Sequence, residues 1–410
     1  MSGINRGHLS DLRGVTRVAV DATIGITDLV ENLHHTIQQV HPPVGVSRAD
    51  RTAGLTGFIY RSIRGTTRLV GKGIDAGLSP LTALLPKAGE NARRDAVASA
   101  VNGIYGDHLA LTGNPLAIEM SLRYRGQAVD IEQADAVSEI ARTAESTGKV
   151  MVFVHGLCLN ESHWISDGRN RGELLAVDLG YAPLYLRYNT GLPVANNGRG
   201  LAVMLEKVLR GWPVPVTDLA LIGHSMGGLV ARSACHHGSV DGHDWLQHLR
   251  SLVSIGTPHH GAPLERGGNW LDAVMNLSPY VAPFTRIGKK RSAGINDLQH
   301  GNITDIDQQF IPLSADVECY AMAATLGKKR GRLADRLIGD GLVPLDSALG
   351  KSKDPERSLR FPIRRQWIGF ETGHMALLRS PGVYNQLREW LQRETTGAIN
   401  ESGSSPEPEL

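Results

Sequence analysis

The stretch Leu219 to Ala234 reads LALIGHSMGGLVARSA. A short apolar run stops at Gly223-His224-Ser225-Met226-Gly227 and gives way at once to an alanine- and leucine-rich helical pattern. Gly-x-Ser-x-Gly between strand and helix is the spacing of a tight turn that raises a serine hydroxyl above a sheet edge. Residues two before and two after the serine must be small, because a β-carbon there would strike the adjacent chain. Gly223 and Gly227 meet that demand, whereas a turn with a merely capping serine would not need glycine on both sides. The helix beginning near Met226 points its amino-terminal N–H groups at the same place and favours developing negative charge. Ser225 is therefore the candidate nucleophile.

A serine hydroxyl attacks poorly until a base removes its proton, and the base needs an acid to orient it. In this arrangement the chain order is serine, acid, histidine. IGDGLVP carries Asp340 in a glycine-flanked loop after the apolar run at Val317, and IGFETGHMALL carries His374 just beyond the run ending at Phe370. Each lies where a loop leaves the carboxyl end of a strand, the edge at which open α/β sheets hold ligands. Asp346 follows LVPL rather than the glycine-flanked turn, which suits a surface role. Glu371, three residues before the histidine, would point away from the imidazole.

The oxyanion formed in acyl transfer needs donors fixed in advance. One is expected from the backbone N–H of Met226, the other from that of Leu157 in the loop His155-Gly156-Leu157-Cys158. His155 is expected to hold this loop and Cys158 to line the pocket. With Trp164, Trp270 and Val274 these complete the expected substrate-contacting set.

Positioning these residues requires a sheet. KVMVFVHG at Lys149, PLYLRY at Pro183, LALIG at Leu219, LVSIG at Leu252, VECYAMAA at Val317 and QWIGF at Gln366 are apolar runs. Helical stretches such as 198–209 and 380–392 separate them. Buried runs alternating with helices imply an α/β fold, a mostly parallel doubly wound sheet covered on both faces. IEMSLRYRG alternates Met120, Leu122 and Tyr124 with polar neighbours, as a half-buried strand does. Residues 113–395 form the expected catalytic domain, with a lid at about 262–312. Trp270, Leu271, Val274, Met275 and Leu277 make that long insertion strongly apolar, as active-site lids are.

Residues 1–112 read instead as helices. Leu55, Phe58, Ile59, Ile63, Leu69, Val70 and Ile74 cover half of a helical wheel, and Arg61, Arg64, Arg68 and Lys72 line the other half. This leaves several roles open: the apolar half packs on neighbouring helices, residues 52–75 contact a membrane periphery, or the helices join two copies of the chain or cover the site mouth. The final residues, 396–410, are polar and proline-bearing and are expected to be disordered.

Composition narrows the classes further. The 410 residues are 41% hydrophobic and 20% charged, with a net charge of +2 and 5% aromatics, which gives no basis for nucleic-acid binding. Cys158, Cys235 and Cys319 are odd in number and widely spaced, neither a disulfide framework nor a metal pattern. With no apolar signal segment at the amino terminus, the expectation is a cytoplasmic protein with no cofactor and no metal.

VHGL at Val154, GHSMGGLVAR at Gly223, IGTPHHGAP at Ile255, GDGLVP at Gly339 and GHMALL at Gly373 occur in the order seen in α/β-hydrolase lipases and esterases. The set, spanning roughly residues 118–395, resembles bacterial triacylglycerol lipases and the lipase-like hydrolases that include inositol deacylases of lipid anchors. The resemblance implies an α/β-hydrolase fold with Ser225, Asp340 and His374 as nucleophile, acid and base, acting on a small-molecule or lipid ester. It also implies that His259 and His260 are loop residues near the cleft. HMALLRSPG lacks the calcium-binding aspartate that such lipases carry after the histidine. That departure, with the absent export signal, favours an intracellular carboxylesterase over a secreted fat-digesting lipase. Acyl transfer to an alcohol would use the same residues, and a non-catalytic lipid-binding scaffold working through the amino-terminal helices is the other reading.

Overall fold

The structure, a computed structural model, describes residues 14, 16, 17, 20, 24, 61–69, 92–144, 148–166, 168–262, 292–328 and 339–392. Its centre is an eight-stranded sheet formed by β1 (Ser121–Tyr124), β2 (Gln127–Ala128), β3 (Lys149–Val154), β4 (Ala182–Arg187), β5 (Asp218–His224), β6 (Leu249–Ile255), β7 (Glu318–Ala324) and β8 (Gln366–Gly369). The spatial order is β2-β1-β4-β3-β5-β6-β7-β8. β1 runs antiparallel to both neighbours, and β4, β3 and β5 through β8 are mutually parallel.

The continuous apolar runs divide by the period of two along a strand. Val150, Val152 and Val154 of β3 and Leu219 and Leu221 of β5 enter one core. Met151, Phe153, Ala220 and Ile222 enter the other. The first core is closed by α1 (Ala92–Leu111), α2 (Ala134–Thr143), α4 (Val194–Arg210), α5 (Met226–Asp241), α6 (Ala293–His300) and α7 (Leu345–Ala348), through residues such as Ile104, Ile140, Leu205, Leu229, Leu298 and Leu345. The second is closed by α3 (Arg171–Leu179) and α8 (Pro381–Leu391), which contribute Leu175, Ala176, Val383, Leu387 and Leu391. Asn170 caps α3 by accepting from the Glu173 N–H, and Gly180 ends it in the left-handed conformation. Ser380 caps α8 through the Val383 N–H.

Helix α1 lies before the boundary at residue 112 expected from the sequence, yet it shares the sheet's core through Ala100 and Ile104. An ion-pair cluster fixes it there. Arg187 at the end of β4 pairs with Asp95 of α1 at 2.9 Å and with Glu161, whose other partner is Arg123 of β1 at 2.8 Å. All four side chains are largely buried, so each charge depends on the others for its solvation.

In the described residues of the basic helix, 61–69, the expected division into an apolar inner and a basic outer half does not hold. Arg64 is buried, while Ile63 and Leu69 are exposed beside Arg61 and Arg68. Residues 263–291, including Trp270 and Val274, lie outside the described residues, as does the tail 396–410. The rest of the expected lid range is packed into the body. Ser292 caps α6 and donates to the Gly103 carbonyl at 2.7 Å, and Asp297 accepts from the Val194 N–H at 2.9 Å.

Candidate active site

Ser225 stands between β5 and α5 with φ 55° and ψ −122°, a region costly for a residue with a side chain. The turn that holds it has no room at either flank. A β-carbon on Gly223 would lie 2.4 Å from the Gly228 nitrogen, and one on Gly227 would lie 2.2 Å from the Val154 carbonyl oxygen. The Ser225 N–H donates to the Ile255 carbonyl at 2.8 Å, which joins the turn to the end of β6. Ser225 is 5% exposed, and Met226 begins α5, so the helix's first N–H groups face the serine without intrahelical acceptors.

Asp340 and His374 come together from separate loops. His374 Nδ1 and Asp340 Oδ2 are 2.7 Å apart, and both side chains are almost fully buried. The main chain repeats the pairing, since the His374 N–H donates to the Asp340 carbonyl at 3.0 Å. Asp340 Oδ1 accepts from the N–H groups of Leu342 and Val343 at 3.0 and 2.8 Å. Gly339 and Gly341 both have positive φ, which lets the loop fold back around the carboxylate. His374 Nε2 is buried without a hydrogen-bond partner, so the serine hydroxyl and this nitrogen are not yet bonded to each other. Such pairs commonly tighten only when substrate binds. Of the weaker acid candidates, Glu371 is exposed with Lys328 4.0 Å away, and Asp346 sits in the first turn of α7.

The loop after β3 passes directly against the serine. A β-carbon on Gly156 would lie 3.0 Å from Ser225 Cβ and 3.3 Å from His224 Nδ1. Leu157 follows in this loop, its side chain buried in the first core. Cys158 adopts φ 61° and donates its N–H to Thr190 Oγ1 at 3.2 Å. Its Sγ points at α1, 3.9 Å from the Ala100 carbonyl, and burial pushes the thiol up to about 12. Such a thiol is inert as a nucleophile. His155 Nδ1 meets the Gly156 carbonyl at 2.9 Å and its ring stacks on Tyr188 at 4.5 Å. Burial lowers its pKa to about 3, so the ring is neutral. Trp164 is buried in the second core, 4.9 Å from the Phe153 ring. Cys158 and Trp164 are thus packed on the body's two core faces.

One neighbour escaped the sequence reading. His224, the residue before the serine, tilts against the His374 ring at 4.8 Å between centroids, and its Nε2 lies 3.4 Å from the His374 carbonyl oxygen. Burial holds its pKa well below the usual histidine range, so a neutral ring supports the candidate base. His259 donates nothing to this cluster, and its Nδ1 lies 3.3 Å from Arg232 Nη1. His260 Nε2 lies 3.0 Å from the Gly350 carbonyl oxygen.

The strand order, the antiparallel β1 and the serine turn after β5 decide the architecture together. The fold is that of the α/β-hydrolases. Within it, residues 195–305 match the PGAP1-like alpha/beta domain family, a minor part of the chain that includes Ser225. Among solved structures, the mature form of the Bacillus licheniformis lipase BlEst2 is similar, at 20% identity over 60% of this chain and 94% of that one, with a TM-score of 0.42. An alpha/beta hydrolase superfamily protein from Enterococcus faecalis is 14% identical over 60% of this chain and 91% of its own, with a TM-score of 0.35. A Pyrococcus furiosus esterase is 16% identical over 60% and 80%, with a TM-score of 0.34. No curated protein matches the sequence. Among the described residues of this α/β-hydrolase fold, no helix is long and apolar enough to cross a membrane.

Proposed function

We propose that the protein is a serine carboxylic-ester hydrolase that works through an acyl-enzyme. Ser225 attacks the acyl carbonyl while His374 Nε2 takes its proton, and Asp340 holds the imidazole in the tautomer that can do so. The backbone N–H groups of Leu157 and Met226 meet the oxyanion. The alcohol leaves with the proton returned from His374, and water, activated by the same base, releases the acid. The observation that carries this reading is the buried 2.7 Å Asp340–His374 pair with an unpartnered Nε2, held beside a serine kept at positive φ. Esters with aliphatic acyl groups are the substrate class, a reading that rests on the apolar stretch Trp270, Leu271, Val274, Met275 and Leu277 in the sequence.

The experiment is a panel of chromogenic esters of increasing acyl length with wild type and Ser225→Ala, alongside fluorophosphonate labelling. Turnover is expected to fall by about 10⁴ or more in the variant, with label on Ser225 alone. Equal rates from both proteins would refute the mechanism.

A lipid ester presented at a membrane surface is a narrower substrate consistent with the exposed Ile63 and Leu69 beside Arg61 and Arg68. Sedimentation with anionic vesicles, with Ile63→Ser/Leu69→Ser as the comparison, tests that surface apart from turnover.

A further inference from the structure

At the edge of the sheet opposite Ser225, a cavity of about 560 Å³ lies between α5 and the start of β6, within the range of small-molecule sites. One side is a single stripe of α5, Arg232, Cys235, His236 and Ser239, at the three- and four-residue steps of one helix face. Burial grades along it. Arg232 is 6% exposed, Cys235 and His236 are half-buried, and Ser239 is exposed. The closed end is therefore at Arg232 and the mouth at Ser239. Opposite stand Leu252, Ile303, Leu313 and Val317, an apolar wall.

Arg232 is an unusual residue to find at the closed end. Its Nη2 donates to the Ile311 carbonyl at 2.7 Å, and its Nη1 lies 3.3 Å from His259 Nδ1. Both partners are neutral, the imidazole because burial beside the guanidinium keeps its pKa well below the usual range. Burial also pulls the guanidinium's pKa down to about 10, which still leaves it charged at neutral pH. Among the described residues no carboxylate pairs with it. A buried cation without a counter-charge is costly, and a cavity beside it supplies room for one.

We propose that this cavity binds an amphipathic monocarboxylate, its carboxylate on Arg232 and its aliphatic body against the apolar wall. The guanidinium fork suits a carboxylate, and only an anion with an apolar body matches both ends of the cavity. The reverse orientation gains little, because the mouth carries Arg250 and Asp316 of opposite sign. The site is separate from Ser225 and does not rest on ester hydrolysis.

The test is calorimetric titration of the full chain with decanoate, decanol and acetate. One equivalent of decanoate is expected to bind, with decanol at least about ten-fold weaker, since one charge-assisted contact is worth that much, and acetate at least about ten-fold weaker because it buries no apolar body. Arg232→Met is expected to weaken decanoate about ten-fold, and Ser239→Trp, which fills the mouth from an exposed position, to weaken it at least as much. Decanol binding as tightly as decanoate, or decanoate binding Ser239→Trp as it binds wild type, would overturn the site. Should Arg232→Met fail to fold, Ser239→Trp alone decides.

Discussion

The N–H of Ser225 is bonded to the carbonyl of Ile255, and the residue after Ile255 supports the ring of His374. The end of β6 thus holds the candidate nucleophile on one side and the candidate base on the other. Gly256 sits at φ 58°, and a β-carbon there would lie 3.2 Å from His374 Cε1 and 3.0 Å from Leu377 Cδ1.

Gly256→Ala should therefore displace the imidazole by a few tenths of an ångström to an ångström. A shift of that size costs about 10²-fold in rate. Steady-state kinetics on a short chromogenic ester should show kcat falling by about that factor with KM little changed. An unchanged kcat in folded protein would separate the ring's position from catalysis.

Asp340 serves two atoms in two ways, and two substitutions separate them. Asp340→Asn keeps an oxygen for the N–H groups of Leu342 and Val343 but presents an amide donor to His374 and selects the wrong tautomer. Turnover should fall about 10⁴-fold with little loss of stability. Asp340→Ala leaves both N–H groups without their acceptor and should also lower unfolding free energy by about 1–3 kcal/mol. Thermal melts of the two variants that coincide would contradict this division.

Gly103 of α1 touches the loop that carries Leu157. A β-carbon there would lie 2.2 Å from Cys158 Sγ and 3.1 Å from the Cys158 nitrogen. Gly103→Ala should push the loop and lower kcat, and removing the sulfur with Cys158→Ala should restore part of the loss. A double-mutant cycle reads this as a non-additive pair, and strictly additive effects on kcat would sink it.

Acid should destabilise the fold through its buried histidines. His155 binds its proton only near pH 3 when folded but near 6.5 when unfolded, and His224 and His259 are shifted in the same direction by burial. Where the unfolded chain holds more protons, stability falls as pH falls, here from about pH 6.5 downward. Between pH 7 and 5, His155 alone accounts for about 2 kcal/mol. Urea unfolding at the two pH values should show the loss, and a flat profile would mean that the rings are hydrated in the native state.

The sheet was readable because buried parallel strands are continuous apolar runs, and β5, β7 and β8 fall where LALIG, VECYAMAA and QWIGF stand. The serine turn was readable because its flanking glycines answer a steric demand local to five residues. Arg123 was not. In an alternating strand it reads as an outward polar residue, and its burial rests on Glu161, brought beside it by the fold, and on the Gly126 carbonyl that accepts from its guanidinium. His224 was hidden similarly, since its partner lies 150 residues away. Helix α1 falls within residues 1–112, which read as helices, but periodicity does not say which body an apolar stripe will join.

That last placement has a kinetic consequence. Helix α1 leaves the ribosome before any strand of the sheet it leans on, and its anchors are remote: Asn189 reaches Gly106 across 83 residues, and Ser292 reaches Gly103 across 189. Contacts of such high contact order form slowly. An early-synthesised helix should thus be among the last pieces to acquire protection from hydrogen exchange during refolding, and the loop it braces should mature with it.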